Sequence, residues 1–352
     1  MPRHFRPTAF VDTPIGLDVE VARLAGGLQF FSAYEVIEGA SRRLIAADAI
    51  AAELRDEGEA VTIANLTAPR PALSLGARTI RLDQPQVMGI LNVTPDSFSD
   101  GGAYSDEPGA IRHGRAMVGA GAALVDVGGE STRPNADAVW EGDEITRTQS
   151  VVAALAQGGT TVSIDTRKAS VMDAALAAGA AIVNDVSALS FDRKAIDLLR
   201  DRAEPIVIMH SPDAAKTLHA GGTYANVLTE VYDWLAARIA ALEAEGVAKS
   251  RLIVDPGIGF GKGLGENLSL LNGAAIFHGL GCPLLIGASR KRFIGALADE
   301  VPASARLPGS LTVALKAAEQ GAQLIRVHDV PETVQALKVW RGLRDRALSG
   351  AA

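Results

Sequence analysis

From about residue 86 onward, short aliphatic and β-branched runs alternate with longer Ala-rich segments whose apolar positions recur at helical spacing. The runs predict strands over 87–92, 124–127, 161–165, 181–185, 205–210, 252–255, 283–287 and 324–328. Helices are predicted between and after them over 108–119, 145–156, 169–178, 225–245, 312–320 and 332–346. Strands this apolar, alternating with helices, imply a parallel sheet covered on both faces. Eight such units in about 265 residues suit an α/β fold of the closed (β/α)8 TIM-barrel type. A doubly wound open sheet is the alternative, but no Gly-x-Gly-x-x-Gly follows the first strand. The barrel is expected over 72–352, with 72–84 forming a hairpin that plugs its bottom. Residues 1–71 form an N-terminal extension whose role the pattern leaves open, either a small appended subdomain or a dimerisation element. Within it, 40–57 has the spacing of an amphipathic helix and 28–37 that of a strand or helix.

A barrel of this kind builds its site at the C-terminal ends of the strands. Polar residues collect there: Asn92; Asp126, then Glu130, Ser131, Thr132 and Arg133; Asp165; Asn184 and Asp185; His210; Asp255; Ser289, Arg290 and Lys291; Arg326 and His328. Asp126 and Asp185 suit caps of the turns that follow them. Asp165 and Asp255 end very apolar strands, where a buried carboxylate is costly without donors. With Asn184 on the same face, they suit a planar heterocycle presenting amino and ring N–H groups, such as the edge of a pterin or a guanine. Lys291, Arg326, His328 and Arg133 form a second, cationic group at the mouth, suited to an anion. Glycines at 257, 259 and 261 are expected to let the backbone approach a flat ligand. That segment lacks the Gly-Lys-Ser/Thr ending of a nucleotide loop.

Composition narrows the partners. A net charge of -7 and a pI near 5.5 argue against nucleic acid. No apolar run is long enough to span a membrane, no signal peptide is evident, and the single cysteine, Cys282, has no partner, so a cytoplasmic protein is expected. Scattered histidines without a His-Glu-x-x-His or a Cys cluster exclude a zinc site. Any metal should be Mg2+, held by Asn92 and phosphate oxygens. No Gly-x-Ser-x-Gly elbow or other activated nucleophile is present.

Two long loops carry a resemblance. Asn92-Val93-Thr94-Pro95-Asp96-Ser97-Phe98-Ser99-Asp100-Gly101-Gly102 and Asp126-Val127-Gly128-Gly129-Glu130-Ser131-Thr132-Arg133-Pro134 resemble successive signature motifs of the dihydropteroate synthases. Asp255-Pro256-Gly257, Ser289-Arg290-Lys291 and Arg326-Val327-His328-Asp329 continue the series. The resemblance implies condensation of 6-hydroxymethyl-7,8-dihydropterin pyrophosphate with p-aminobenzoate, releasing pyrophosphate. It implies that Asp165, Asn184, Asp255 and Lys291 bind the pterin, and that Asn92 ligates Mg2+. Arg326 and His328 would hold the diphosphate, with Thr132 and Arg133 near it. Ser289 and Lys291 would border p-aminobenzoate, while Asp96 and Asp100 would complete a closed state. Asp165, Lys291 and Arg133 are the expected catalytic residues, in a homodimer formed through helices late in the barrel. Because both long loops are intact around Phe98 and Pro134, sulfonamide sensitivity is expected. His210-Ser211-Pro212-Asp213 departs from the family pattern and puts that loop's pterin contacts in doubt. A silent pterin-binding paralogue would not need all of Asn92, Thr132, Arg133, Arg326 and His328. A pterin-dependent methyltransferase would need a corrinoid partner or domain.

Overall fold

The computed structural model describes residues 2–17, 19–76, 78–94, 107–132, 138–213, 219 and 221–349. The chain opens with an antiparallel sheet of β1 (His4–Val11), β2 (Ala22–Arg23), β3 (Phe30–Glu38) and β4 (Ser41–Ala46). Strand β3 is central: one edge pairs β1, and the other pairs β2 and then β4. Helix α1 (Glu57–Thr67) follows, its first turn capped by the Asp56 side chain, which accepts from the Glu59 N–H. The 28–37 segment is therefore a strand, and the helix expected over 40–57 is not formed. Its Ala-rich spacing loses to pairing along β3, which buries Ile45 and leaves Leu44 outside, the alternation of a strand. A 3-10 turn at Ile50–Glu53 follows, and the α-helix begins only after Asp56.

A two-stranded hairpin, β5 (Leu73–Leu75) and β6 (Arg78–Ile80), leads into the barrel. Its strands are β7 (Gln86–Asn92), β8 (Leu124–Gly128), β9 (Val162–Asp165), β10 (Ile182–Asp185), β11 (Ile206–Met209), β12 (Leu252–Asp255), β13 (Leu285–Ile286) and β14 (Leu324–Val327). They run parallel in the order β12-β11-β10-β9-β8-β7-β14-β13. The bridge between Val254 and Leu284, with the Val254 N–H donating to the Pro283 carbonyl at 2.9 Å, joins the two ends of that order. The helices are α2 (Glu107–Gly119), α3 (Glu141–Gln157), α4 (Ala169–Ala177), α5 (Lys194–Leu199), α6 (Val227–Ala244), α7 (Leu264–Gly273), α8 (Arg292–Leu297), α9 (Leu307–Glu319) and α10 (Val330–Ser349).

Side chains alternate along each strand, so every second residue faces the barrel axis. Val125, Val162, Val183, Ile206, Leu252 and Ile325 pack outward with the helices. Met88, Leu124, Ile182, Val207, Ile253, Leu285 and Leu324 pack inward together with Leu73 and Ile80 of the hairpin and with Leu82. The hairpin thus closes the N-terminal end of the barrel with apolar side chains. One inward step beyond that layer come Asp126, Asn184, Asp255, Gly287 and Arg326, so the same parity that fills the bottom presents polar groups at the top.

The extension is welded to the barrel's bottom. Phe5, Leu24, Phe31, Tyr34, Val36, Ile45, Ile50 and Leu66 form one core that takes in Ala275 of the 3-10 segment Ala274–Leu280. The buried Arg70 spans the seam, donating to the carbonyls of Cys282 at 3.1 Å, His278 at 2.7 Å, Asn65 at 3.0 Å and Ala68 at 2.8 Å. Burial pulls its guanidinium down to about 10. Arg70→Met would strand these carbonyls, so it is expected to cost about 2–4 kcal/mol in a urea unfolding titration, whereas a change below about 0.5 kcal/mol would contradict the seam's importance.

Candidate active site

At the C-terminal end of the barrel, Arg326 of β14 lies between two carboxylates. Its Nε donates to Asp126 Oδ2 at 2.6 Å and its Nη2 to Asp165 Oδ2 at 2.8 Å. Asp126 is fully buried and Asp165 nearly so. Charges this far from water persist only when paired and hydrogen-bonded. Burial pushes the Asp165 carboxyl up and Arg326 pulls it back down, with Asp126 and Glu144 opposing that pull. The Asp126 Oδ2 atom also accepts from Asn184 Nδ2 at 2.9 Å, linking β8, β10 and β14 through one oxygen.

The remaining polar atoms give the pocket its character. Asp126 Oδ1, Asp165 Oδ1 and Ser163 Oγ are buried and have no hydrogen-bond partner. Asp255 accepts the Gly257 N–H at 2.7 Å, and burial raises its carboxyl to about 6 against the pull of that bond and of Lys291. Carboxylate oxygens only accept. Hydrogen bonds from a ligand rich in N–H donors therefore offset the desolvation of both surfaces, whereas a ligand of acceptors offers no such compensation.

Lys291 supplies the facing wall. Its Nζ lies 4.0 Å from the centre of the Phe260 ring, and burial lowers the ammonium to about 8, with Arg326 acting in the same direction. The His219 ring also stacks on Phe260, at 5.1 Å with the planes 14° apart. His219 Nε2 also meets the Thr132 carbonyl at 2.7 Å, which ties the second loop to this wall. Two of the glycines after β12 lie close to protein atoms. A Cβ at Gly257, with φ of +70°, would fall 1.9 Å from the His210 carbonyl oxygen, and one at Gly259, with φ of +82°, would fall 2.9 Å from Lys291 Cδ. These two positions make room for backbone and for Lys291. Lys262 Nζ holds the turn together by donating to the Gly257 carbonyl at 2.9 Å and the Phe260 carbonyl at 3.0 Å.

Several expected residues thus converge: Asp165, Asn184, Asp255, Lys291 and Arg326. Ser289 and His328 join the neighbouring tips of β13 and β14, the His328 N–H donating to Ser289 Oγ at 3.2 Å and His328 Nδ1 lying 3.0 Å from it. Asn92 is exposed at the end of β7, its Oδ1 3.6 Å from the position a Cβ would take on Gly128. Arg290 turns away to pair with Asp329, its Nε donating at 3.0 Å. Two strand-end residues leave the site. Asp185 caps the turn behind it, accepting from the N–H groups of Ser187 at 2.6 Å and Leu189 at 2.9 Å. His210 follows the inward-facing Met209, so its ring packs outward, edge-on to Trp234 at 5.0 Å, and burial lowers it to about 3. Arg133, Asp96, Asp100, Phe98 and Pro134 lie outside the described residues.

Spacing alone could not reveal the roles of Phe260 and His219, because each acts on a residue distant in the chain. Asp126 was open to the strand-end reasoning that found Asp165, but a turn cap explained it equally well.

The central ion group makes a specific demand on stability. Arg326→Met leaves two buried carboxylates facing each other, an expected loss of about 3–5 kcal/mol at pH 7 by urea unfolding. Without Arg326 the Asp165 carboxyl, already raised to about 7 by burial, rises further, so acidification stabilises the folded variant more than wild type and the gap should narrow from pH 8 toward pH 5. A gap that widens on acidification would contradict this assignment.

Comparisons with known proteins agree with this geometry. A family model described as pterin binding enzyme matches residues 88–328. The chain is 46% identical over 262 residues to the dihydropteroate synthase of Escherichia coli (strain K12), covering 74% of this chain and 92% of that protein. The structure of Xanthomonas albilineans dihydropteroate synthase with 4-aminobenzoic acid is 45% identical with a TM-score of 0.73, covering 78% of this chain and 98% of that one. The structure of the same enzyme in complex with 7,8-dihydropteroate is 42% identical with a TM-score of 0.70, covering 78% and 99%.

Proposed function

The chain belongs to the dihydropteroate synthase family of pterin-binding transferases, and from that premise we propose that it condenses 6-hydroxymethyl-7,8-dihydropterin pyrophosphate with p-aminobenzoate to give 7,8-dihydropteroate. The observation that carries this reading is the acceptor-lined pocket of Asp126, Asp165, Asn184 and Asp255, walled by Lys291 on Phe260. A dihydropterin offers amino and ring N–H donors along one edge, the complement of that surface. The Xanthomonas structures hold 4-aminobenzoic acid in one case and 7,8-dihydropteroate in the other, which suits the same two substrates here.

In this reading the bond between C9 and the diphosphate oxygen breaks with its electron pair leaving on pyrophosphate. The amine lone pair then forms the N–C9 bond, and the extra amine proton passes to solvent. An aromatic amine is unprotonated near neutral pH, so no strong base is required, in keeping with the lack of an activated nucleophile. Asp165 and Asp255 favour positive charge developing on the pterin, and Lys291 holds the opposite edge. Arg326, fixed by its two carboxylates, draws the Asp165 carboxyl down against burial, which still holds it at about 7, and with His328 lends positive potential to the departing diphosphate. Thr132 and Arg133 belong near that diphosphate, and Ser289 beside p-aminobenzoate.

Magnesium fits the donors present if it keeps most of its water and takes phosphate oxygens. Asn92 offers one amide oxygen, and the lack of a Cβ at Gly128 leaves open the space between Asn92 Oδ1 and Asp165 Oδ2, which would lie 3.6 and 3.7 Å from it. Among the described residues no group of three His, Cys, Asp or Glu forms a stronger site. When bound, the ion would neutralise diphosphate charge. The reading also includes a cytoplasmic homodimer. Supporting it, Val339 and Leu343 lie exposed on α10, and no helix among the described residues is long and apolar enough to cross a membrane.

The test is product formation with both substrates and Mg2+. Dihydropteroate and pyrophosphate should appear together, require p-aminobenzoate, and fall as a sulfonamide competes with it. Pterin binding without turnover would favour a silent paralogue. The affinity for 6-hydroxymethylpterin should also follow a bell in pH. Donors bind the ionised Asp255, which protonates below about 6, and Lys291 loses its charge above about 8. Calorimetry at pH 5 should therefore give an affinity about tenfold below that at pH 7. An affinity that rises on acidification would contradict the role of Asp255.

A further inference from the structure

The Asn184 amide could present either its carbonyl or its NH2 group to a ligand, and the two choices select opposite ligands. The atom facing Asp126 decides between them. Asp126 Oδ2 already accepts the Arg326 Nε–H at 2.6 Å, and a carboxylate held by a guanidinium has nothing to donate. The Asn184 group 2.9 Å from that oxygen must therefore be the NH2, which leaves the amide carbonyl turned toward the pocket. Both residues sit on inward positions of their strands and are buried, so the amide has little freedom to rotate against water. The second Asp126 oxygen, buried without a partner, leaves no competing donor to draw the carboxylate away.

Resting on the pterin reading above, we infer that Asp126 is a positioning residue that sets the pocket's specificity. By fixing the Asn184 amide, it makes the site prefer an amino-bearing edge over an oxo-bearing one. Its role runs through Asn184 and Arg326, the two groups held by its Oδ2 atom. The same oxygen orients Arg326, so the donor-accepting surface and the cation beneath it are set by one side chain. The expected effect of its loss is a change in discrimination: the amide is then free to turn its NH2 group toward an acceptor.

The probes are 6-hydroxymethylpterin and 6-hydroxymethyllumazine, which carries an oxygen in place of the 2-amino group. Their binding to the whole folded chain is measured by calorimetry at pH 7. Wild type should prefer the pterin. In Asp126→Leu the ratio of the two affinities should fall by about tenfold or more, the worth of one well-placed hydrogen bond. Asp126→Asn should keep the ratio within about threefold, because its amide oxygen can occupy the place of Oδ2 and accept both bonds. In an Asn184→Leu background, Asp126→Leu should change the ratio no further, as expected when one residue acts through the other. If Asp126→Leu does not accumulate folded, Asp126→Ser carries the same expectation, since its short side chain cannot reach both partners. Equal weakening of both probes, with the ratio kept, would make Asp126 only a brace and overturn the inference. Wild-type protein that binds neither probe would overturn the pterin reading itself, and this inference with it.

Discussion

Everything at the mouth of this barrel depends on burying opposite charges together. Asp126 and Asp165 cannot remain ionised in a closed barrel unless a guanidinium shares the space, and Arg326 cannot enter without them. The group is costly to assemble and rigid once assembled, because each partner removed leaves the others unpaired. It also spans strands distant in sequence, β8, β9 and β14, so its formation is coupled to correct closure of the barrel. Asn184 joins through the same oxygen, and the polarity of the pocket follows from that arrangement.

The rest of the fold makes this charge group possible. A polar layer can sit inside a barrel only if the layer beneath it is dry and full, and the β5–β6 hairpin with Leu82 supplies that packing under Met88, Leu124 and Ile182. The N-terminal sheet and α1 brace the same end from outside, through Arg70 and the segment around Ala275. At the other end, loops do the positioning. Lys262 holds the turn after β12, the turn holds Phe260, and Phe260 holds Lys291.

Much of this was legible in the sequence because parallel barrel strands are buried on both faces. Their apolar runs stand out, and a polar residue at the end of such a run has few explanations. Asp165, Asn184, Asp255 and Arg326 were found in that way. His210 was misleading, since strand-end position does not settle parity and one residue's shift turns a side chain from axis to helix layer. Helix α5, with six residues, was too short for spacing to reveal. The 40–57 segment failed for the opposite reason, as its helical spacing was overridden by pairing with β3. Contacts such as His219 on Phe260 depend on loop paths that local pattern does not encode.

The central claim is that the buried acceptor group around Arg326 is a pterin site. The most direct test is a crystal structure of the chain with 6-hydroxymethylpterin. The ring should lie inside the barrel mouth with its amino edge on Asp255 and Asn184, and Arg326 should remain bound to Asp126 and Asp165. A pterin bound elsewhere, or an Arg326 released from both carboxylates on binding, would contradict the account.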